Sequence, residues 1–213
     1  NARMGVQTDP RLREIMASLI RHLHGFVKEV GLTQAEWEAA IDFLTRTGQM
    51  CDDKSQEFIL LSDTLGVSML VDAIQHRRPA GATENTVFGP FHVNGAPELP
   101  MGASISLDGK GEACRYQGRV LDLEGSPVEG VRIDVWSDNS DGFYDVQQPD
   151  EQPKWNNRGV FITGADGCYD FIGIKPVPYP IPDDGPVGKM LASLGRHPWR
   201  PAHMHFMLKH PDY

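Results

Sequence analysis

The spacing of apolar residues changes once along this chain, and that change constrains the fold more than any other feature. Up to about residue 76 the apolar side chains recur every three or four positions. From residue 103 the apolar stretches are short, and runs such as Val131, Ile133 and Val135 recur every second position. The first spacing lines one face of a helix and the second lines one face of a strand. The chain therefore reads as α+β, mainly β: an N-terminal helical domain (1–76), a linker (77–102) and a β domain (103–213).

Asp9-Pro10 opens the first helix, with Asp as N-cap and Pro at the first helical position. Leu12, Ile15, Met16, Leu19, Leu23, Phe26 and Val27 follow at helical spacing, and Gly31 ends the run. Thr33-Gln34-Ala35-Glu36 has the pattern of a capping box. It opens a second helix with Trp37, Ala40, Ile41 and Leu44 on one face, stopped by Gly48. A third helix is expected from Asp53 to Gln75. Its apolar residues (Phe58, Ile59, Leu61, Leu65, Val67, Leu70, Val71) cover more than one stripe, which predicts a helix sandwiched between layers. A helical segment this short rarely makes a rich core alone. Its leftover apolar face is expected to build a homodimer interface.

Pro79, Gly81, Pro90, Gly95, Pro97 and Pro100 punctuate residues 77–102, which can be neither long helix nor central strand. Within it Val87-Phe88-Gly89-Pro90-Phe91 is too apolar for a solvated tether and should pack as a core plug or pocket wall. Beyond it, 116–123 reads as a strand and 124–130 as a turn. Val131, Ile133 and Val135 alternate with Arg132, Asp134 and Trp136. Strands at 159–163 and 168–174 flank a turn. Short strands at this spacing indicate a sandwich or barrel. Asp141 to Arg158 is long, polar and aromatic-bearing, a functional-loop candidate.

Net charge −9 and a pI near 5.3 exclude non-specific nucleic-acid binding, which needs a basic surface. A small anionic substrate stays open, because one local arginine can hold it. Cys51, Cys114 and Cys168 form no C-x-x-C, which argues against a cysteine zinc site. They read as reduced thiols of a cytoplasmic protein. No signal peptide or apolar run of membrane-span length is visible. The missing initiator Met and the end at Tyr213 are read as marks of a partial gene product, with the β domain incomplete at its C-terminus.

Arg200-Pro201-Ala202-His203-Met204-His205-Phe206-Met207-Leu208 nearly alternates and reads as a strand. His203 and His205 then share a face, with Cα atoms roughly 6–7 Å apart. They can converge on one metal ion, while Met204 and Phe206 point into a core. The other His-x-His, His22 and His24, sits in a helical run, where residues two apart do not face each other. Two histidines are too few for a firm site. Lys209-His210-Pro211 lacks the glutamate a cupin would want, and a zinc site of two histidines and one carboxylate stays open.

Further stretches carry a resemblance: Gly89-Pro90-Phe91; Gly118-Arg119-Val120 through 131–136; Asp141-Gly142-Phe143-Tyr144; Pro176-Val177-Pro178-Tyr179-Pro180; and 195–205. With these the chain resembles the intradiol ring-cleavage dioxygenases, the non-haem ferric family that includes catechol and hydroxyquinol 1,2-dioxygenases. The similarity spans essentially the whole chain. It implies an antiparallel β-sandwich carrying one Fe(III) per subunit, held by Tyr144, Tyr179, His203 and His205. Tyr144 and His203 would be equatorial, Tyr179 and His205 axial, with a hydroxide in the fifth position. Phenolate is a hard anionic oxygen suited to Fe(III), and a bound cation lowers the pKa of its ligands.

The resemblance further implies that a vicinal diol is cleaved with O2 between its hydroxyls. Tyr179 doubles as general base, and Arg200 stabilises negative charge developing on the ring. The pocket wall would include Leu60, Asp63, Val87, Phe88, Gly89, Pro90, Phe91, Ile181 and Pro182. Arg196 and His197 are read as solvated. Asp63, a carboxylate inside an apolar run, needs a partner if buried, and a third ring hydroxyl could supply one. This points to hydroxyquinol (1,2,4-trihydroxybenzene) as substrate, giving 3-hydroxy-cis,cis-muconate or maleylacetate. Catechol or a chlorocatechol is the alternative, giving cis,cis-muconates. Family members can carry phospholipid at a helical dimer interface, which the apolar helices would permit. The rivals of other classes are a metal-free β-sandwich binding module and a zinc hydrolase using the same histidines.

Overall fold

A computed structural model describes residues 5, 7–53 and 56–213. Four helices come first: α1 (Pro10–Val30), α2 (Gln34–Gln49), α3 (Glu57–Thr64) and α4 (Val67–Gln75). The Asp9 carboxylate caps α1 by accepting from the Leu12 amide at 2.9 Å. Thr33 and Glu36 close both arms of the capping box on α2. The helix expected over 53–75 is two helices. Gly66, with φ 75°, adopts the left-handed conformation that breaks the run. Lys54 and Ser55, within the expected helix, lie outside the described residues.

Contacts divide the chain into two compact units, 1–58 and 59–213. In the first, the apolar stripe of α1 is open to solvent, with Leu12, Leu23 and Phe26 each about half exposed. In the second, Leu70 and Val71 of α4 are exposed likewise.

Seven strands follow: β1 (Ala113–Arg119), β2 (Arg132–Trp136), β3 (Arg158–Ile162), β4 (Cys168–Ile174), β5 (Tyr179–Pro180), β6 (Trp199–Arg200) and β7 (His205–Lys209). All named pairs are antiparallel: β1 with β4, β3-β2-β7 as a three-stranded sheet, and β5 with β6. Ile133, Val135 and Phe161 of one sheet meet Phe171 of the other, with Ile105, Val128 and Val131, in one buried core. Phe161 and Tyr116 each stack on Phe171 at 4.9 Å. This is the sheet-on-sheet core expected of a sandwich.

Three local expectations need correction. The first strand ends at Arg119, because Asp122 Oδ1 accepts from the Glu124 and Ser126 amides and curls the chain into a turn. A helix not foreseen, α5 (Pro186–Ser193), buries Val187 and Leu191. The strand expected over 200–208 is split: Arg200 pairs with Tyr179, His205 pairs with Trp136, and 201–204 passes between. Pro201 has no amide hydrogen to donate, which favours the break there.

Candidate metal centre

Strand β2 is buried on both faces. Ile133 and Val135 enter the sandwich core, while Trp136 joins Tyr144 and Tyr179 in a second cluster backed by Phe91 and Met207. The alternation read from sequence is correct, but the side carrying Trp136 faces a site rather than water.

Four rings close a circuit there. Centroid separations are 5.9 Å for Tyr144–Tyr179, 5.5 Å for Tyr179–His203, 4.8 Å for His203–His205 and 6.2 Å for His205–Tyr144. They come from three places in the chain, as expected, although His203 lies outside the strand. Met204 packs on the sandwich core, on the other side of the chain.

Each ring is held by identifiable contacts. Asn139 Oδ1 accepts from the Asp141 and Phe143 amides at 2.9 and 3.0 Å, folding the turn that delivers Tyr144. At Gly142 (φ 84°) a Cβ would come within 3.1 Å of the Tyr179 Cβ, so the turn packs close beneath the second tyrosine. The Tyr144 amide donates to Gln147 Oε1. Asp145, next in sequence, meets the buried Arg158 Nε at 2.6 Å. The Tyr179 hydroxyl accepts from Arg200 at 2.8 Å across the β5–β6 pair. His203 Nδ1 is 2.7 Å from the Pro201 carbonyl, a contact that turns Nε2 away from it. Arg196, read as solvated, is exposed and donates to the Thr64 carbonyl at the end of α3 at 3.1 Å.

Among the described residues, Tyr144 Oη and His203 Nε2 are buried without a hydrogen-bond partner. Such groups are costly unless something ligates them. Burial, then the neighbouring Tyr179, hold the Tyr144 phenol far above its usual range. Burial pushes the His205 imidazole down to about 3, with His203 adding to the shift. His203 is lowered mainly by burial. Both imidazoles are therefore neutral at neutral pH and offer lone pairs. Two buried phenols and two neutral imidazoles make a donor set that could hold a hard, highly charged cation, which would in turn ionise the phenols. Among the described residues no group of three or more His, Cys, Asp or Glu could hold a metal.

Around the four rings, Phe91 stacks on Tyr144 at 4.6 Å. Gly89 faces His205: a Cβ added there would lie 3.4 Å from Cε1. Phe88 packs on Trp136 at 5.4 Å. Leu60, Val87 and Ile181 are half-buried, and Pro90 and Pro182 exposed. Asp63, considered as a buried carboxylate, is exposed near the C-terminal end of α3.

Sequence reasoning missed Asp138. It is 1% exposed, and among the described residues neither carboxylate oxygen completes a hydrogen bond. Burial pushes its pKa up to about 7, against a smaller opposing effect of its own and the Val177 backbone. A raised carboxyl pKa stabilises the fold most below the unfolded value near 4, and that contribution is lost as pH rises through about 7. Asp138→Asn should therefore match the native protein at pH 4. It should gain on the order of a few kcal/mol over it by pH 8. Thermal melts across that range check this; a constant gap would refute it.

An open helical N-terminal part, a sandwich, and two tyrosines with two histidines at its edge define an intradiol ring-cleavage dioxygenase, and the chain belongs to that family. Residues 9–83 match the family model described as catechol dioxygenase N terminus, and 88–213 the model described as dioxygenase. Members of this family use non-haem iron. The chain is 61% identical over 207 residues to a hydroxyquinol 1,2-dioxygenase of Rhizobium sp. (strain MTP-10005), covering 97% of this chain and 70% of that protein. It is 54% identical to a 6-chlorohydroxyquinol 1,2-dioxygenase of Cupriavidus pinatubonensis, covering 100% and 76%. A solved hydroxyquinol 1,2-dioxygenase of Pseudomonas putida DLL-E4 superposes with TM-score 0.94 at 54% identity, over 98% of this chain and 72% of that one.

Proposed function

We propose that this chain is a hydroxyquinol 1,2-dioxygenase, cleaving 1,2,4-trihydroxybenzene with O2 to 3-hydroxy-cis,cis-muconate, the enol form of maleylacetate. The closed circuit of two tyrosine and two histidine rings carries the chemistry. The 61% identity to the Rhizobium enzyme supports the substrate.

Tyr144, Tyr179, His203 and His205 would hold one Fe(III), the first two as phenolates. The ferric ion, when bound, supplies the charge that ionises the phenols and activates an adjacent diol towards O2. Tyr179 Oη receives a substrate hydroxyl proton. Arg200, already within 2.8 Å of that oxygen, keeps positive charge beside it before and after the transfer. Phe91, stacked on Tyr144, keeps water from one side of the ring cluster. The half-exposed apolar faces of α1 and α4 support a homodimer through the N-terminal helices, within the segment 1–76. They could also accept the acyl chains of a phospholipid. Free Cys51, Cys114 and Cys168 support a cytoplasmic protein, and among the described residues no helix is long and apolar enough to cross a membrane.

Product identification with hydroxyquinol, catechol and chlorocatechols side by side tests this reading. Maleylacetate from hydroxyquinol at the highest kcat/KM is expected, and a preference for catechol or a chlorocatechol would overturn the substrate. Because Asp63 is exposed, its contact with a third hydroxyl would be only partly desolvated. Asp63→Ala should therefore lower kcat/KM for hydroxyquinol a few-fold relative to catechol, roughly 1 kcal/mol. Equal losses on the two substrates would remove Asp63 from the specificity argument.

A further inference from the structure

The two histidines at the site are oriented by different means. His203 has its Nδ1 against the Pro201 carbonyl, the usual way a ligating imidazole is fixed. Among the described residues no hydrogen bond is formed by either ring nitrogen of His205. Instead its ring lies on Trp136, centroids 4.6 Å apart and planes 2° from parallel. The β2–β7 register sets this contact, since Trp136 and His205 are directly paired.

Trp136 is itself held. It is 2% exposed. The rings of His92 and Phe88 lie edge-on or tilted against it at 4.7 and 5.4 Å, and against each other at 4.5 Å. His92 Nε2 is 3.4 Å from Asp134 Oδ2, with both side chains 7% exposed. Asp134 lies two residues before Trp136 on the same strand, so both project from one face of β2. The contact ties the Phe88–His92 segment to the strand that carries the stack.

We propose that Trp136 is the positioning residue for His205, fixing by stacking the imidazole plane that a hydrogen bond fixes in His203, and that Asp134 and His92 latch Trp136 in place. The inference rests on the ferric reading above. Parallel stacking restrains tilt of the ring out of its plane and leaves slip within the plane looser. A ligand so held keeps its plane while remaining free to shift towards or away from a metal. Loss of the stack should therefore change the ligand field, and not only stability.

The test uses iron-loaded protein and compares Trp136→Leu, Trp136→Phe and His92→Ala with the native chain. Readouts are the EPR rhombicity of the ferric ion, the visible charge-transfer band, and iron release to a chelator. Trp136→Leu should shift the EPR and visible signals and release iron about tenfold faster. Trp136→Phe, which restores a flat ring, should recover most of the native signals. His92→Ala should shift them in the same direction by less; if Trp136→Leu does not fold, the other two carry the test. Native spectra and release rates in the folded variants would overturn this inference alone. A native protein that takes up no iron would overturn the ferric reading and this inference with it.

Discussion

Tyr179→Phe is expected to abolish ring cleavage while leaving the fold intact. The hydroxyl removed is the acceptor of the Arg200 hydrogen bond at 2.8 Å. The ring stays in the cluster with Trp136 and Tyr144, so packing is largely kept. In the proposed reading two functions go at once: a phenolate donor for the iron and the oxygen that takes a substrate proton. Loss of a positioned base alone costs on the order of 10²–10⁴ in rate. Turnover of hydroxyquinol should fall at least that far, with the visible band bleached or moved. Steady-state oxygen uptake together with the absorption spectrum checks it. A variant that keeps native turnover would remove Tyr179 from the proton path; one that keeps the native band would remove it from the iron.

The second large effect concerns stability. Arg158 is 2% exposed, and its Nε meets Asp145 Oδ1 at 2.6 Å. Asp145 Oδ2 also accepts from the Trp155 amide at 3.1 Å. Removing one partner of a buried pair leaves the other charge without compensation. Arg158→Ala should therefore destabilise by roughly 3–5 kcal/mol, lowering the melting temperature by about 10 °C. Because Asp145 follows Tyr144 directly, the loss should loosen the tyrosine as well, seen as a lower iron content. Asp145→Asn keeps a hydrogen-bond acceptor and should cost less. If the double variant is no worse than Arg158→Ala alone, the pair acts as a unit. A melting temperature unchanged in Arg158→Ala would contradict the role given to the pair.

What sequence reveals about this site follows from the range of each signal. His203 and His205 are two apart, and a strand-like pattern brings such neighbours together whatever the rest of the fold does. Tyr144 and Tyr179 could be assigned only through family resemblance, because nothing in their own spacing aims two phenols at one point. The helix caps at Asp9 and Thr33 are local and were legible. The break at Gly66 had a local signal too, a glycine in an apolar helical run. So did α5, where Pro186 precedes Val187, Met190 and Leu191 at helical spacing. The Asp145–Arg158 pair, the stack of Trp136 on His205 and the His92–Asp134 contact had none. Each depends on loop path or strand register, which bring together residues 13, 69 and 42 positions apart. For Asp63 the sequence offers only hydrophobic context, and context alone does not say which side of a helix faces water.

The most direct test of the central claim is anomalous scattering at the iron edge from crystals of the iron-loaded protein. A single iron peak per chain is expected, within bonding distance of the Tyr144 and Tyr179 hydroxyl oxygens and one ring nitrogen each of His203 and His205. A peak elsewhere, or these four groups gathered on a metal other than iron, would contradict it.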